Sequence, residues 1–233
     1  MADEALKILY KTESTAKCYI IYFPSIDLSI NTAGTNDKIV AGSFSLTERI
    51  NVDNVLVFGS CIASEIKFTV ADISQDLSGM EFTVAQTVGA YTWEIGTYTV
   101  DSCKKQGNKR YKDITAYDAL KKTDIDVAPW YNSLIFPMTL ATFRASLLDH
   151  LGIEEELREL PNDSMAVQKT IEPGQISGRS VLEACEEING CFGHIGRDGK
   201  FEHVILKPAY GLYPSDNLYP SDNLYPVSES DTS

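Results

Sequence analysis

The sequence predicts an α+β protein, with an antiparallel, strand-rich domain over residues 1–117 followed by a smaller α+β domain over residues 118–210. Three observations carry this expectation. Apolar residues recur at every second position through the first half, two later segments repeat at helical spacing, and a hairpin turn follows the second of them. With 233 residues and 43% hydrophobic content, the chain is long enough for one or two domains, each with a core.

The strands come first. Val40, Gly42, Phe44 and Leu46 alternate with Ala41, Ser43 and Ser45, and Ile66, Phe68 and Val70 alternate with Glu65, Lys67 and Thr69. Met80, Phe82 and Val84 follow the same rule, and Tyr98 and Val100 oppose Thr97, Thr99 and Asp101. A last strand is expected from Lys109 toward Ala116, after a turn at Gly107-Asn108. One apolar and one polar face per strand suits an antiparallel barrel or sandwich with a wet outer side, and periodicity alone does not choose between them.

After Tyr117 the pattern changes. Asp118 to Lys122 can form a helical turn, and Pro129 and Pro137 punctuate an aromatic loop. Thr139 is a good N-cap for a helix carrying Leu140, Phe143, Leu147 and Leu151 on one face, with Gly152 as its stop. Ser180-Val181-Leu182-Glu183 has the form of a capping box, with Leu182, Cys185 and Ile188 as an inward stripe and Gly190 beyond it. Strands at 191–195 and 201–206 flank Arg197-Asp198-Gly199-Lys200, where glycine accepts the positive φ of a tight turn.

Residues 211–233 form a third region. The hexad Leu212-Tyr213-Pro214-Ser215-Asp216-Asn217 repeats at 218–223 and begins again at Leu224-Tyr225-Pro226. Proline at every sixth position forbids helix, so an extended or turn-rich stalk with a polar, disordered end is expected.

Thirty-three acidic against 20 basic side chains give a net charge of −13. Counterion release, which drives proteins onto phosphate backbones, therefore has little to act on, and no specific DNA or RNA surface is expected. The opening Met1-Ala2-Asp3-Glu4-Ala5 is acidic where a secretory signal needs positive charge, and no apolar run approaches a membrane span. A soluble protein made in a cytoplasm, without a membrane anchor, is the expectation. The five cysteines (Cys18, Cys61, Cys103, Cys185, Cys191) are odd in number and lack Cys-x-x-Cys spacing, so reduced, packed thiols are expected.

Few residues invite a chemical role. No phosphate-binding loop is present, and Gly193, Gly196 and Gly199 fall on the hairpin. Cys185, Cys191 and His194, with His203 across the hairpin, offer donors that suit zinc. Cys185 lies on the apolar stripe of its helix, however, and its distance from Cys191 is not a ligand spacing, so core packing is preferred. Cys61, at a turn and open to solvent, would need His150, His194 or His203 as a base to act as a nucleophile. Glu154-Glu155-Glu156, with Leu157 and Leu160 interleaved, reads as a solvated helix face. No catalytic, cofactor or metal residue is assigned, and no enzyme is expected. Trp130, Tyr131 and Phe136 make the candidate interface, since aromatics outside a strand or helix pattern often anchor contacts; packing between the two domains is the plainer alternative.

Several segments in order carry a resemblance. They are Gly42-Ser43-Phe44-Ser45-Leu46-Thr47-Glu48, Asp53-Asn54-Val55-Leu56-Val57-Phe58-Gly59-Ser60-Cys61, Glu65-Ile66-Lys67-Phe68-Thr69-Val70, Gly96-Thr97-Tyr98-Thr99-Val100-Asp101 and Ile114-Thr115-Ala116-Tyr117-Asp118-Ala119-Leu120. Together, over roughly residues 25 to 210, the chain resembles the N-terminal part of tail hub proteins from long-tailed phages and prophages of Gram-positive bacteria.

The resemblance implies a tail-tube-like β-barrel followed by a smaller α+β domain, assembled as a homotrimer that joins the tail tube to the tip. The architecture is similar to baseplate hubs of contractile tails and to type VI secretion spikes. Phe58, Gly59, Ser60 and Cys61, and Ala116, Tyr117 and Asp118, are then structural. The implied partners are other phage tail proteins (tail tube, distal tail protein, tip), in a virion tail made in the host bacterial cytoplasm. DNA would pass an acidic lumen without specific binding. Such proteins usually run longer, so the Leu-Tyr-Pro repeat is expected to mark a truncated or rearranged product. The alternative is a carbohydrate- or receptor-binding module of an adsorption apparatus, built on Trp130 and Tyr131.

Overall fold

The structure is a computed structural model and describes residues 17–34, 36–51, 56–107 and 110–206. The acidic start, Asp53 to Val55, the Asn108-Lys109 turn positions and the Leu-Tyr-Pro repeat lie outside the described residues. The fold is α+β, with a large antiparallel sheet and few helices. No helix among the described residues is long and apolar enough to cross a membrane.

Seven strands make the sheet: β1 (Lys17–Phe23), β2 (Leu28–Asn31), β3 (Ser45–Thr47), β4 (Glu65–Ala71), β5 (Glu81–Val88), β6 (Tyr91–Lys105) and β7 (Tyr111–Tyr117). Their order is β2-β1-β5-β6-β7-β4-β3 and every pairing is antiparallel. The period-two reading holds in β4, β5, β6 and β7, where Ile66, Phe68, Val70, Phe82, Val84, Tyr98, Val100, Ile114 and Ala116 all face the core. Phe82 is its centre, with ring centroids 5.0 Å from Phe23, 5.8 Å from Phe68 and 6.0 Å from Tyr98.

Two parts of the sheet differ from the sequence expectation. The strand expected at 40–46 is broken, because Gly42 takes a φ of +74° and Ser43 N–H turns back onto Val40 O. Only Ser45–Thr47 pairs as a strand, against β4. The strands β1 and β2, unrecognised in the sequence, are well built, with β1 pairing both β2 and β5. Their signal is the Tyr19-Ile20-Ile21-Tyr22-Phe23 run of β-branched and aromatic residues, ended by a turn over Pro24–Ile26.

The ladder has β2 and β3 at its ends, and one segment bonds to β2 and to β4, the strand next to β3. Asn31 N–H donates to Asn36 O at 2.8 Å, while Val40 N–H donates to Thr69 O and Ala71 N–H to Lys38 O, each at 2.8 Å. Residues 36–40 thus bond to strand β2 on one side and β4 on the other. The long β6 bends through two irregularities, opposite Val84/Ala85 and between Val100 and Ser102. Such extra residues increase the local twist and curl a sheet.

A second core sits on the chain after β7. A 3₁₀ turn (Ala119–Asp124) leads to α1 (Ala128–Ser133), β8 (Met138–Thr139), α2 (Leu140–Leu151), β9 (Ala166–Val167), α3 (Gly178–Asn189), β10 (Phe192–Ile195) and β11 (Phe201–Val204). Thr139 caps α2 as its spacing predicts, its hydroxyl accepting from Thr142 N–H, and Gly152 ends the helix in the left-handed conformation. Helix α3 starts three residues earlier than the capping box suggests. Ser177 is its N-cap, accepting from Ser180 N–H, and Gly190 closes it. The hairpin pairs Phe192 with Val204 and Ile195 with Phe201, and Gly199 supplies the turn's positive φ. The aromatic loop contains a short helix, because Pro129 occupies the first turn of α1, where its missing N–H has no partner to lose.

Candidate functional site

Residues 56–64 pack against the second core and lead into β4 at Glu65. Gly59 N–H donates to Cys191 O at 2.8 Å and Gly193 N–H to Ser60 O at 3.1 Å, so the segment pairs in parallel with β10 at Cys61 and Gly193. The Phe58 ring packs 5.3 Å from Phe192. Gly59 has a φ of +93°, and a Cβ there would stand 2.6 Å from Glu183 O. Arg179 from α3 donates to Cys61 O and, at 2.7 Å, to Asp124. Cys61 is fully buried rather than open at a turn. Burial pushes its thiol well up, the opposite of an activated nucleophile.

The other motif lies where β7 leaves the sheet. Ala116 is buried opposite Ile66 and Val100. Tyr117 donates its hydroxyl to Glu65 at 2.8 Å, and that hydrogen bond pushes the phenol pKa up to about 12. Asp118 accepts from Ser64 N–H at 2.8 Å and from Leu120 N–H at 2.9 Å. One side chain therefore caps the 3₁₀ turn and fastens the end of the 56–64 segment to it. Burial raises its carboxyl above the usual range, against the pull of those two bonds.

Trp130, Tyr131 and Phe136 are half-buried and gather on Phe143 of α2, with ring centroids 5.8, 6.1 and 6.0 Å from it. Trp130 also stacks on His150 at 5.5 Å. These aromatics pack against the second core.

The strongest concentration of charge is inside that core and was not expected. Arg144, 3% exposed, donates to Glu155 at 2.5 Å and to Asp163 at 2.6 and 3.3 Å. His203 on β11 is held between Glu155 Oε1 at 3.0 Å and Glu186 Oε2 at 2.9 Å. Cys191 Sγ lies 3.2 Å from the same Glu186 oxygen. Glu155 is thus no part of a solvated helix face. The chain at 154–156 is not helical, Leu157 is fully exposed and Leu160 is buried. Burial works against ionisation of Glu155 and Asp163, but their hydrogen bonds to His203 and Arg144 hold both below the usual carboxylate range.

The cysteine and histidine set picked from the sequence is divided by the fold. Cys185 is buried among apolar side chains, which push its thiol pKa up to about 12. His194 faces Glu202 at 3.4 Å. Cys191 and His203 do meet, with Glu186 as the third member: their donor atoms all lie within 4.8 Å of one another. Glu186 was missed although its position gave a signal, because it stands four residues after Leu182, on the buried stripe of α3. Ile188, assigned to that stripe, is 39% exposed.

Burial alone pulls the His203 imidazole toward neutrality, but hydrogen bonds that it donates to Glu155 and Glu186 outweigh it and lift the pKa to about 8. A folded-state pKa above the unfolded value near 6.5 gives stability that is complete below about pH 6.5 and lost as pH rises through about 8. The expected loss is about 2 kcal/mol at most. Urea midpoints across pH 6 to 9, in chelator so that only protons titrate, should fall over that window in the native sequence and stay flatter in His203→Gln. Equal slopes in the two would show that His203 is not the group responsible.

No protein-family model and no curated protein matches the chain. Solved structures do share its fold. The 43 kDa tail protein of prophage MuSo2 from Shewanella oneidensis superposes with a TM-score of 0.50 at 10% identity, over 81% of this chain and 55% of that one. The tail protein from Neisseria meningitidis MC58 gives 0.52 at 14% identity, over 81% of this chain and 50% of that one. The likeness is one of fold, and the chain spans about half the length of each.

Proposed function

We propose that this chain is a structural component of a phage tail, placed at the tip or baseplate hub, where a homotrimer joins the tail tube to the tip. The observation that carries the reading is the fold shared over 81% of the chain with two tail proteins of different bacteria. The seven-stranded antiparallel sheet, with residues 36–40 bonded to its end strand β2 and to β4 near the other end, supports a tail-tube-like barrel. On this reading the second core is the smaller α+β domain that follows the barrel.

The partners would be the tail tube, the distal tail protein and the tip, in a virion tail made in the host bacterial cytoplasm. A net charge of −13 supports a conduit through which DNA passes without specific binding, since like charges discourage adsorption. A scaffold without catalysis also accords with thiols raised at Cys61, Cys185 and Cys191. The test is molar mass by light scattering over a range of concentrations, because a hub requires a closed cyclic assembly. Three chain masses are expected. One chain mass at every concentration would overturn the trimeric hub.

A further inference from the structure

We propose that Glu186, Cys191 and His203 form a zinc site within the second core. The three donors come from separate places in the chain: the last turn of α3, the residue after its glycine cap, and strand β11. All three are buried, and their ligand atoms lie within 4.8 Å of one another. Thiolate, imidazole and carboxylate together suit zinc better than calcium or magnesium, which prefer oxygen donors.

Glu186 shows a deficit that a cation would fill. Its Oε2 takes both the Cys191 thiol and His203 Nδ1, while Oε1 is buried with no hydrogen-bond partner among the described residues. A buried acceptor left unpaired costs free energy, and native interiors seldom keep one. A metal ion on this carboxylate engages that oxygen or relieves its charge. Little movement is needed for the two contacts nearest Glu186. Tetrahedral zinc sets S···O and N···O separations of about 3.3 to 3.6 Å. Here Cys191 Sγ and His203 Nδ1 are 3.2 and 2.9 Å from Glu186 Oε2.

The surroundings of His203 also fit a ligand. Its Nε2 points to Glu155, which is in turn gripped by Arg144. A carboxylate on one ring nitrogen fixes the proton there and leaves the other nitrogen as a donor to metal. To bind the ion, Cys191 must give up its thiol proton and His203 must present Nδ1 without a proton. Affinity should therefore rise with pH.

Because the site is buried, loading belongs to folding, and the test begins with full-length chain unfolded in chelator and refolded with cobalt(II). A Cys18→Ser/Cys103→Ser background removes the two partly exposed thiols. One cobalt per chain with a thiolate-to-metal charge-transfer band, displaced by zinc and lost in Cys191→Ser, is the expected result. Proton release on zinc binding, read by calorimetry in buffers of different ionisation enthalpy, should accompany it. Circular dichroism reports whether Cys191→Ser folds. If that variant does not fold, X-ray absorption at the zinc edge of the refolded background protein decides instead. Sulfur among the ligands supports the site, and a shell of oxygen and nitrogen alone overturns it. Absence of a band from the background protein, or a band that persists in folded Cys191→Ser, also overturns it.

Discussion

Replacing Arg144 with methionine is expected to lower the stability of the chain by about 3 to 5 kcal/mol, the cost of leaving buried charge without its partner. Arg144 stands on α2 between Phe143 and Leu147 and is 3% exposed, yet it compensates two carboxylates, Glu155 and Asp163. Methionine fills much of the same volume, so cavity formation contributes little. What remains is electrostatic. Among the described residues, the Glu155 side chain would keep only His203, and that of Asp163 only the backbone N–H of Leu160. The triple variant Arg144→Met/Glu155→Gln/Asp163→Asn removes the charges together and should recover much of the loss, because an apolar or neutral replacement of an entire buried network is often close to neutral. Urea midpoints at pH 6, with unchanged m-values, measure both differences. A loss below about 1 kcal/mol in the single variant would mean that water reaches the two carboxylates and screens them.

Arg144 and Glu186 also show how far the sequence could be read. In α2 the buried positions are Leu140, Phe143, Arg144, Leu147, Leu148 and Leu151, and in α3 they include Val181, Leu182, Cys185, Glu186 and Asn189. Both sets follow the three-and-four spacing of an inward face, so the helices, with their glycine stops, were legible from their apolar members. The charged members occupy the same face, but hydropathy assigns a lone arginine or glutamate to solvent. Only the meeting of α2, α3, β11 and the 154–163 segment reveals that they compensate one another. The sheet divides in the same way. Strands β4, β5 and β7 alternate cleanly, whereas β1 carries apolar or aromatic residues on both faces, Ile21 and Phe23 on the buried one and Ile20 and Tyr22 on the other, and so lacks the period-two signature. The 56–64 segment was read as part of the strand-rich region, and the resemblance marked Phe58 to Cys61 as structural. That Cys61 packs among the second core's residues depends on a pairing with Gly193, 132 positions away in the chain, which no local pattern can carry.

That pairing gives the second large effect. Gly193→Ala should destabilise the chain by about 1 to 3 kcal/mol or more, as overpacking of a filled core does. An added Cβ would lie 2.5 Å from Phe201 Cε2 and 2.7 Å from Cys61 Sγ. Neither neighbour can yield cheaply. Phe201 is fully buried and its backbone pairs with Ile195, Glu154 and Glu156, while Cys61 is fixed through its carbonyl by Arg179. Glycine is needed here for the close approach, since three segments of the chain converge on one position without room for a side chain. Phe201→Leu offers the discriminating background. It carries its own cavity cost, but it removes the ring atoms that the new methyl would strike, so the alanine penalty should shrink by roughly half in a double-mutant cycle. Additive losses would place the strain on Cys61 instead, and Cys61→Ala would then be the variant that relieves it.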